Sequence, residues 1–152
     1  MEFRTASEAD DTVVARHYLS IWESYGTPRE HFYEDAEARV VAFLREGRES
    51  WKSGVFLAIE DGRAVGSAAC QIQIAPYAEV IKPAHRRFGY IWSVYVDPAF
   101  RQRGIARQLV ERCVAHLRSI GCTKAVLHSS DAGEQLYTSL GFERAKEMRL
   151  PL

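Results

Sequence analysis

The chain has 152 residues, which is the size of one ordinary domain and too short for two of normal dimensions. Its hydrophobic fraction of 47% and charged fraction of 26% are typical of a soluble globular protein and exclude a disordered or fibrous chain. Twenty basic residues balance twenty acidic ones, so the chain has no net field that attracts nucleic acid or an anionic membrane surface. We therefore expect a single domain over residues 1–152, with no nucleic-acid and no membrane partner.

Three features of the sequence predict a cytoplasmic location. The first residues are acidic and lack the apolar core of a signal peptide. Apolar runs such as Tyr90 to Val96 are far shorter than the roughly 18 residues that span a bilayer. The cysteines Cys70, Cys113 and Cys122 form no C-x-x-C pair, which suits a reducing compartment better than a disulfide framework.

The first part of the chain is predicted to form one strand and two helices. Residues 2–5 read as a short strand, and the capping-box pattern of Ser7 and Asp10 opens a helix that runs to about residue 25. Thr27-Pro28 repeats the start signal, which predicts a second amphipathic helix that ends near Gly47.

The middle of the chain is rich in β-branched and aromatic residues. Asp61-Gly62 is typical of a two-residue hairpin turn, so we predict antiparallel strands at about 54–60 and 63–75. A loop that contains Pro76 and Pro83 leads to a strand at 89–96, which Asp97-Pro98 ends because proline cannot donate to a strand ladder.

The last part alternates helices and strands. We predict a helix from Gly104 to Gly121, a strand at 124–129, a helix at 131–140 and a last strand at 142–150. This order of elements indicates the α/β class, or α+β by some schemes, with a mixed sheet and helices on both faces.

A pattern for anion binding lies where the strand at 89–96 turns into the next helix. The first N–H groups of a helix have no partner within it and form the positive end of its dipole, so they can converge on a phosphate. Gly104 has no Cβ that would hold the anion away, and Ala106 keeps the next exposed position small. We predict a diphosphate site formed by Arg101, Gln102, Arg103, Gly104, Ile105, Ala106 and Arg107.

This segment matches neither G-x-x-x-x-G-K-[ST] nor a G-x-G-x-x-G that follows a strand. Its pattern, Arg/Gln-x-x-Gly-x-Gly/Ala, follows YIWSVYVDPAF, and LYTSLGFE stands near the end of the chain. With these motifs the chain resembles the GNAT superfamily of N-acetyltransferases in the element order of most of its length, most closely over Gly89 to Leu117 and Lys124 to Glu143. The resemblance implies a mostly antiparallel mixed sheet and acetyl-CoA as co-substrate, with no metal.

The resemblance also implies how acetyl-CoA is held. In this family the strand before the motif splays from its neighbour at a bulge, which leaves backbone amides free for the pantetheine arm and the thioester oxygen. By similarity, Val94, Tyr95 and Val96 take that role, and the amides of residues 102–107 hold the pyrophosphate. Ser130 occupies the place where relatives often have an asparagine near the pantetheine.

Tyr137 is the catalytic residue that the resemblance implies. A tyrosine in this place, in a helix followed by Leu-Gly-Phe, donates a proton to the departing CoA thiolate in the family. An unperturbed phenol has a pKa near ~10 and is therefore protonated at neutral pH, whereas a thiol such as cysteine has a pKa near ~8.5. A tyrosine that only packs on the core is the alternative.

The sequence does not identify a general base. An alkyl amine is mostly protonated at neutral pH, so its proton must be accepted before it attacks. Many relatives carry a carboxylate on the central strand, where this chain has Tyr90, Trp92 and Ser93. The alternatives are a water chain, an amine that arrives neutral, or one of the side chains Glu79, His85 and His31.

The acceptor is predicted to be a primary amine. In this family the segments 23–52 and 76–90 form the walls of the acceptor cleft, and here they carry Tyr25, His31, Phe32, Tyr33, Trp51 and Tyr77, with Trp92 nearby. An aromatic cleft suits an apolar or cationic amine. Because the strand carboxylate is absent, an acyl-CoA-binding regulatory module without turnover is the alternative function. The oligomeric state stays open, with a homodimer as one option.

Overall fold

The computed structural model describes residues 1–75 and 79–152, and its centre is a mixed sheet. The strands lie side by side in chain order: β1 (Glu2–Thr5), β2 (Gly54–Glu60), β3 (Arg63–Ile72), β4 (Phe88–Val96) and β5 (Lys124–Val126). The pairs from β1 to β4 are antiparallel, and β4 pairs with β5 in parallel. The helices are α1 (Asp11–Ser24), α2 (Ala36–Ser50), α3 (Ile105–Ser119) and α4 (Asp131–Ser139).

Helices cover both faces of the sheet, and each face has its own apolar core. On one face α3 buries an apolar stripe against β3 and β4, with Leu109, Val110 and Cys113 among its fully buried residues. On the other face Val14 of α1 and Leu44 of α2 pack on residues of β2 and β3. The predicted fold class is confirmed.

Local signals in the sequence also form as predicted. Asp61 and Gly62 both have positive φ, 50° and 75°, as a type I′ hairpin turn requires. The capping box is present, although it opens a 3-10 turn, Glu8–Asp10, directly before α1: the Ser7 amide donates to the Asp10 carboxylate at 2.8 Å. Arg4 of β1 donates to the same carboxylate through both terminal nitrogens at 2.8 Å, which ties the helix start to the sheet edge.

The second predicted helix is wrong at both ends. Pro28 opens only a short 3-10 turn, Arg29–His31, because the chain becomes extended again at Phe32 (ψ 146°), and α2 begins at Ala36. The helix also continues past Gly47 to Ser50. Gly47 is buried within the helix, where an added Cβ would lie 3.1 Å from the Ser53 Cβ, so this glycine permits close packing and does not end the helix.

Three strand predictions are also corrected. β3 ends at Ile72 and β5 at Val126, both earlier than predicted. The last strand, predicted at 142–150, does not form: this segment is almost wholly exposed, with Met148 98% and Leu150 80% accessible, so it has no buried apolar face. Pro76 lies outside the described residues. Within 1–75 and 79–152, none of the helices has the length and apolar character that crossing a bilayer requires.

Candidate active site

The centre of the site is a bulge in β4. Ser67 of β3 pairs with Tyr95, but Ala69 pairs with Trp92, so β4 contains one residue more than β3 over this stretch. Ser93 absorbs the extra length with a left-handed φ of 54°. On its other side β4 pairs with β5 only over Phe88–Tyr90. Beyond Tyr90 the backbone of β4 is therefore free of β5, at the place where the sequence predicted a splayed strand.

The bulge buries a hydroxyl group that has no partner in the described part of the chain. Ser93 is 6% exposed, and its Oγ makes no hydrogen bond with the described residues. The residue lines a cavity of about 1300 Å³. A buried hydroxyl without a partner costs roughly 1–3 kcal/mol, and a polar group of a ligand would remove that cost.

The cavity lies between the helical segment at the start of the chain, the free edge of β4 and the start of α4. Its polar residues near β4 and α4 include Ser93, His128, Ser130 and Tyr137, with Val94 beside them. Its aromatic wall comes mainly from α1, α2 and the segment between them, with the residues Tyr18, Trp22, Tyr25, Phe32, Tyr33 and Phe43, and with Tyr90 and Trp92 from β4.

Tyr137 lies on α4 with its ring edge-on to Phe142, at 5.9 Å between centroids. Burial, together with the neighbouring Tyr25 and Cys113, raises the pKa of its phenol to about 12. An added Cβ on Gly133 would lie 2.9 Å from the Tyr137 ring and 3.5 Å from the Ser130 hydroxyl, so this glycine allows both residues to approach the first turn of α4.

The predicted anion site lies in an open turn before α3. Gly104 has φ 76° and Gln102 has φ 60°, so both residues adopt the left-handed conformation. The first hydrogen bond of α3 runs from the Gln108 amide to the Gly104 carbonyl at 3.2 Å, so the amides of residues 105–107 have no acceptor within the helix. A Cβ on Gly104 would meet nothing within 4 Å. Glycine is thus favoured here by backbone conformation as well as by the need for open space.

The three arginines of this turn each contact another part of the protein. Arg101 donates to the Val96 carbonyl at 3.2 Å, and Arg103 pairs with Glu60 at 2.9 Å. Arg107 donates to the Ser139 hydroxyl at 2.6 Å, which joins the start of α3 to the end of α4. Each guanidinium carries five N–H donors, so these contacts do not use all of its hydrogen-bonding capacity.

The structure brings together some of the predicted residues and separates others. Val94, Ser130 and Tyr137 line one cavity. Tyr95 turns toward α1 and stacks on His17 at 4.4 Å between ring centroids, and the Ile105 side chain lies in the core at 3% exposure. These two residues can therefore contribute only their backbone to a ligand. Val96 pairs with Gly66 of β3, and Ala106 is partly buried in the first turn of α3.

Most of the residues predicted for the acceptor wall line the cavity. The cavity is lined by Tyr25, His31, Phe32, Tyr33 and Trp92, as expected. Trp51 instead packs on Phe43 at 5.1 Å, outside the cavity lining. Of the side chains considered as bases, His31 lines the cavity, whereas Glu79 and His85 do not. Tyr77 lies outside the described residues.

His128 lies in the cavity lining but is not among the residues that the sequence predicted for the site. It follows the edge strand β5 in the polar run His128 to Asp131, and the position of this polar run directly after a strand is the signal that could have identified it. Tyr90 and His128 are joined by a hydrogen bond of 2.7 Å between the phenol oxygen and Nδ1. Nε2 of the same ring lies 2.7 Å from the Glu147 carboxylate.

The cavity, the free strand edge and the open helix start can be compared with known proteins. Glucosamine 6-phosphate N-acetyltransferase of Trypanosoma brucei brucei is 36% identical over 99 residues, which are 64% of each chain. A GCN5-related N-acetyltransferase from Ralstonia eutropha JMP134 superposes with a TM-score of 0.83 at 25% identity, over 99% of this chain and 97% of that one. A predicted acetyltransferase from Clostridium acetobutylicum, solved with acetyl-CoA, has a TM-score of 0.80 at 22% identity, over 99% and 94% of the two chains.

These similarities cover unequal parts of the known proteins. The chain spans between about half and two thirds of the length of the curated relatives that it matches first. The Acetyltransferase (GNAT) family profile matches residues 16–142, which is most of the chain. The chain therefore belongs to the GNAT family of acetyltransferases.

Proposed function

We propose that this protein is an N-acetyltransferase that moves the acetyl group of acetyl-CoA to a primary amine. The observation that carries the proposal is the cavity in which the free edge of β4, the Ser93 hydroxyl and the Tyr137 phenol meet. Membership of the GNAT family supports this function. So does the likeness of the fold to a protein solved with acetyl-CoA.

The residues on both sides of this cavity fit acetyl-CoA. The amides of residues 102–107 and the open space above Gly104 suit the pyrophosphate, which would meet the positive end of α3. The contact between Arg107 and Ser139 places this turn next to α4, which carries Tyr137. Between them the unpaired edge of β4, at Val94 to Val96, offers amides to the pantetheine arm, and Ser130 lines the same cavity.

In the proposed reaction, different residues of the chain act at different steps. A neutral amine attacks the thioester carbonyl, and the β4 amides stabilise the negative charge that develops on its oxygen. As the C–S bond breaks, Tyr137 donates its proton to the sulfur, and the proton that the attacking nitrogen loses on becoming an amide restores the phenol. Its raised pKa keeps the phenol protonated, and burial in the same apolar site also raises the basicity of a departing thiolate. No metal is needed for these steps.

The aromatic wall indicates which amine the cavity accepts. Its rings would surround an apolar or aromatic body, while the amine points toward β4. We therefore propose a primary amine attached to such a body. The names of two relatives, glucosamine 6-phosphate N-acetyltransferase and N-alpha-acetyltransferase, add an amino sugar phosphate and a peptide N-terminus to the acceptors worth testing.

The test is thiol release from acetyl-CoA across an amine panel. The panel contains tryptamine, spermidine, glucosamine 6-phosphate and a short peptide that begins with methionine. We expect amine-dependent release, fastest with an acceptor that carries an apolar body. CoA binding without thiol release for any amine would contradict the enzyme and support the regulatory module instead.

Tyr137→Phe tests the role of the general acid. Because the ring and its contact with Phe142 are kept, we expect an unchanged KM for acetyl-CoA and a kcat lower by about 100-fold or more. Tyr95→Phe is the matched control, since the proposed role of Tyr95 uses only its backbone amide. Equal kcat values for Tyr137→Phe and the wild type, measured by thiol release, would refute the assignment.

A further inference from the structure

A chain of three hydrogen-bonded side chains reaches the cavity from the surface. The Tyr90 phenol lies 2.7 Å from His128 Nδ1, and His128 Nε2 lies 2.7 Å from a carboxylate oxygen of Glu147. Arg149 donates to the other oxygen of Glu147 at 2.6 Å. Tyr90, His128 and Arg149 all line the same cavity as Tyr137. The cluster therefore joins the cavity to a carboxylate on the exposed C-terminal segment.

The pairing of β4 with β5 determines where Tyr90 lies. It is the last residue of β4 that pairs with β5, opposite Val126, and the two strands diverge directly after it. Ser93 and Val94, which line the cavity, lie three and four residues further along the same strand. Tyr90 thus lies where the two strands begin to diverge, in the lining of the cavity that the acceptor amine would enter under the proposed function.

The directions of the hydrogen bonds define a path for a proton. Burial raises the pKa of Tyr90, as do Tyr18 and Glu147, while Arg149 lowers it, so the phenol is protonated and donates to His128 Nδ1. Nε2 then carries the imidazole hydrogen and donates to Glu147. His128 and then Arg149 lower the pKa of Glu147, so its carboxylate is ionised and holds the ring in this tautomer.

We infer that Tyr90, His128 and Glu147 form a proton relay that accepts the proton of the acceptor amine; this inference rests on the proposed acetyl transfer. A lone pair of the Tyr90 oxygen takes the proton from the ammonium while the phenol passes its own proton to His128 Nδ1. The N–H bond of the amine breaks, one O–H bond is exchanged and one N–H bond forms on the imidazole, with no change of oxidation state. Glu147 balances the charge of the imidazolium, as a carboxylate does beside a catalytic histidine.

Because part of the relay is exposed to solvent, it can return to its initial protonation state. The His128 and Glu147 side chains are 50% and 54% exposed, so the imidazolium can release its proton to water. Glu147 acts through His128 and is a positioning residue. The alternative role of the cluster is structural, as a clasp that holds the C-terminal segment against the end of β5.

The experiment compares rates across pH for Tyr90→Phe, His128→Gln and Glu147→Gln. The acceptor is the panel amine with the fastest wild-type rate. An alkyl ammonium has a pKa near ~10.4, so the neutral fraction of the amine grows about tenfold per pH unit below that value. At pH 7 we expect kcat to fall about 100-fold for His128→Gln and Tyr90→Phe, and less for Glu147→Gln. These deficits should shrink steadily toward pH 9.5, because the amine then deprotonates without help.

Two variants serve as controls. Glu49→Gln and Glu143→Gln make the same change as Glu147→Gln at exposed positions outside the cavity lining, and we expect wild-type rates at every pH. A deficit that is the same at all pH values would show a structural clasp and overturn the relay, as would wild-type activity of His128→Gln. A pH-dependent deficit in a control variant would also overturn it. A wild type inactive with every amine would instead refute the proposed function, and the relay with it.

Discussion

Ser93 holds a backbone conformation that non-glycine residues adopt infrequently. With φ at 54°, its cost is of the order of 1–3 kcal/mol, and its buried hydroxyl lacks a partner among the described residues. Strain and an unsatisfied polar group in one residue are typical of a functional position. Both come from the same cause, the extra residue in β4, which lies just beyond the point where β4 stops pairing with β5. The energy lost at Ser93 is therefore localised in the lining of the cavity.

The burial of His17 allows us to predict how the stability of the protein depends on pH. Its ring lies between Ser67, 3.0 Å from the hydroxyl oxygen, and Tyr95. Burial, and to a smaller extent Arg63, lowers its pKa to about 4 against partial opposition from Asp97. The folded state therefore prefers neutral His17. This contribution is complete above the unfolded pKa near ~6.5 and is lost as the pH falls toward about 4, a change on the order of 3 kcal/mol.

His17→Gln is the variant that checks this prediction. Urea unfolding at pH 7 and pH 4.5 should give a smaller fall in the free energy of unfolding for His17→Gln than for the wild type. Titration of carboxylates affects both proteins and cancels in the comparison. Identical falls for the two proteins would mean that His17 does not control the acid sensitivity.

Among the helices, strands and turns, the correct predictions were those that depend on residues close together in the sequence. Asp61-Gly62 formed its hairpin turn because its conformation depends on the two turn residues themselves. Gly104 marked the start of α3, since a helix start with open amides is a local feature. The fold class and the order of most elements followed from such signals.

The errors came from contacts that are distant in sequence. Gly47 looked like a helix end, but it is buried within α2, where an added Cβ would lie 3.5 Å from Gln71 Oε1 of β3, so the packing of the helix on the sheet decided its use. The predicted last strand failed because no apolar face of it is buried. Tyr90, His128 and Glu147 are 38 and 19 residues apart along the chain, so only the folded structure places them in one cluster.

The packing of α3 on β4 gives a prediction at this scale. Gly89 is buried in β4, and an added Cβ would overlap the side chain of Leu117. Alanine in a strand normally stabilises relative to glycine, but here we expect Gly89→Ala to cost about 1–3 kcal/mol of unfolding free energy. Denaturant unfolding measures this change.

A double-mutant cycle supplies the control. Leu117→Ala alone should cost about 2–5 kcal/mol because it leaves a cavity. The cost of Gly89→Ala in that background should nearly vanish, since the overlapping side chain is gone. Additive costs, or a stabilising Gly89→Ala in the wild type, would show that α3 does not approach β4 at Gly89.

For the whole molecule, a chain of zero net charge is combined with a proposed local anion site. Twenty basic and twenty acidic residues balance, so the attraction for a diphosphate must come from the helix start and the arginines around it. The C-terminal segment, although it forms no strand, supplies Glu147 and Arg149 to the edge of the cavity. The single domain, the cytoplasmic location and the oligomeric state stay predictions.

The most direct test of the central claim is calorimetric titration of CoA into the wild type, Gly104→Glu and Gly62→Glu. Gly104 and Gly62 have nearly equal φ, 76° and 75°, and an added Cβ meets nothing within 4 Å at either one. The two variants therefore introduce the same charge with the same backbone strain. We predict that the wild type and Gly62→Glu bind CoA, while Gly104→Glu, with a carboxylate among the amides of the turn, loses at least about 100-fold in affinity. Equal affinity of all three proteins would contradict the acetyl-CoA site at the start of α3.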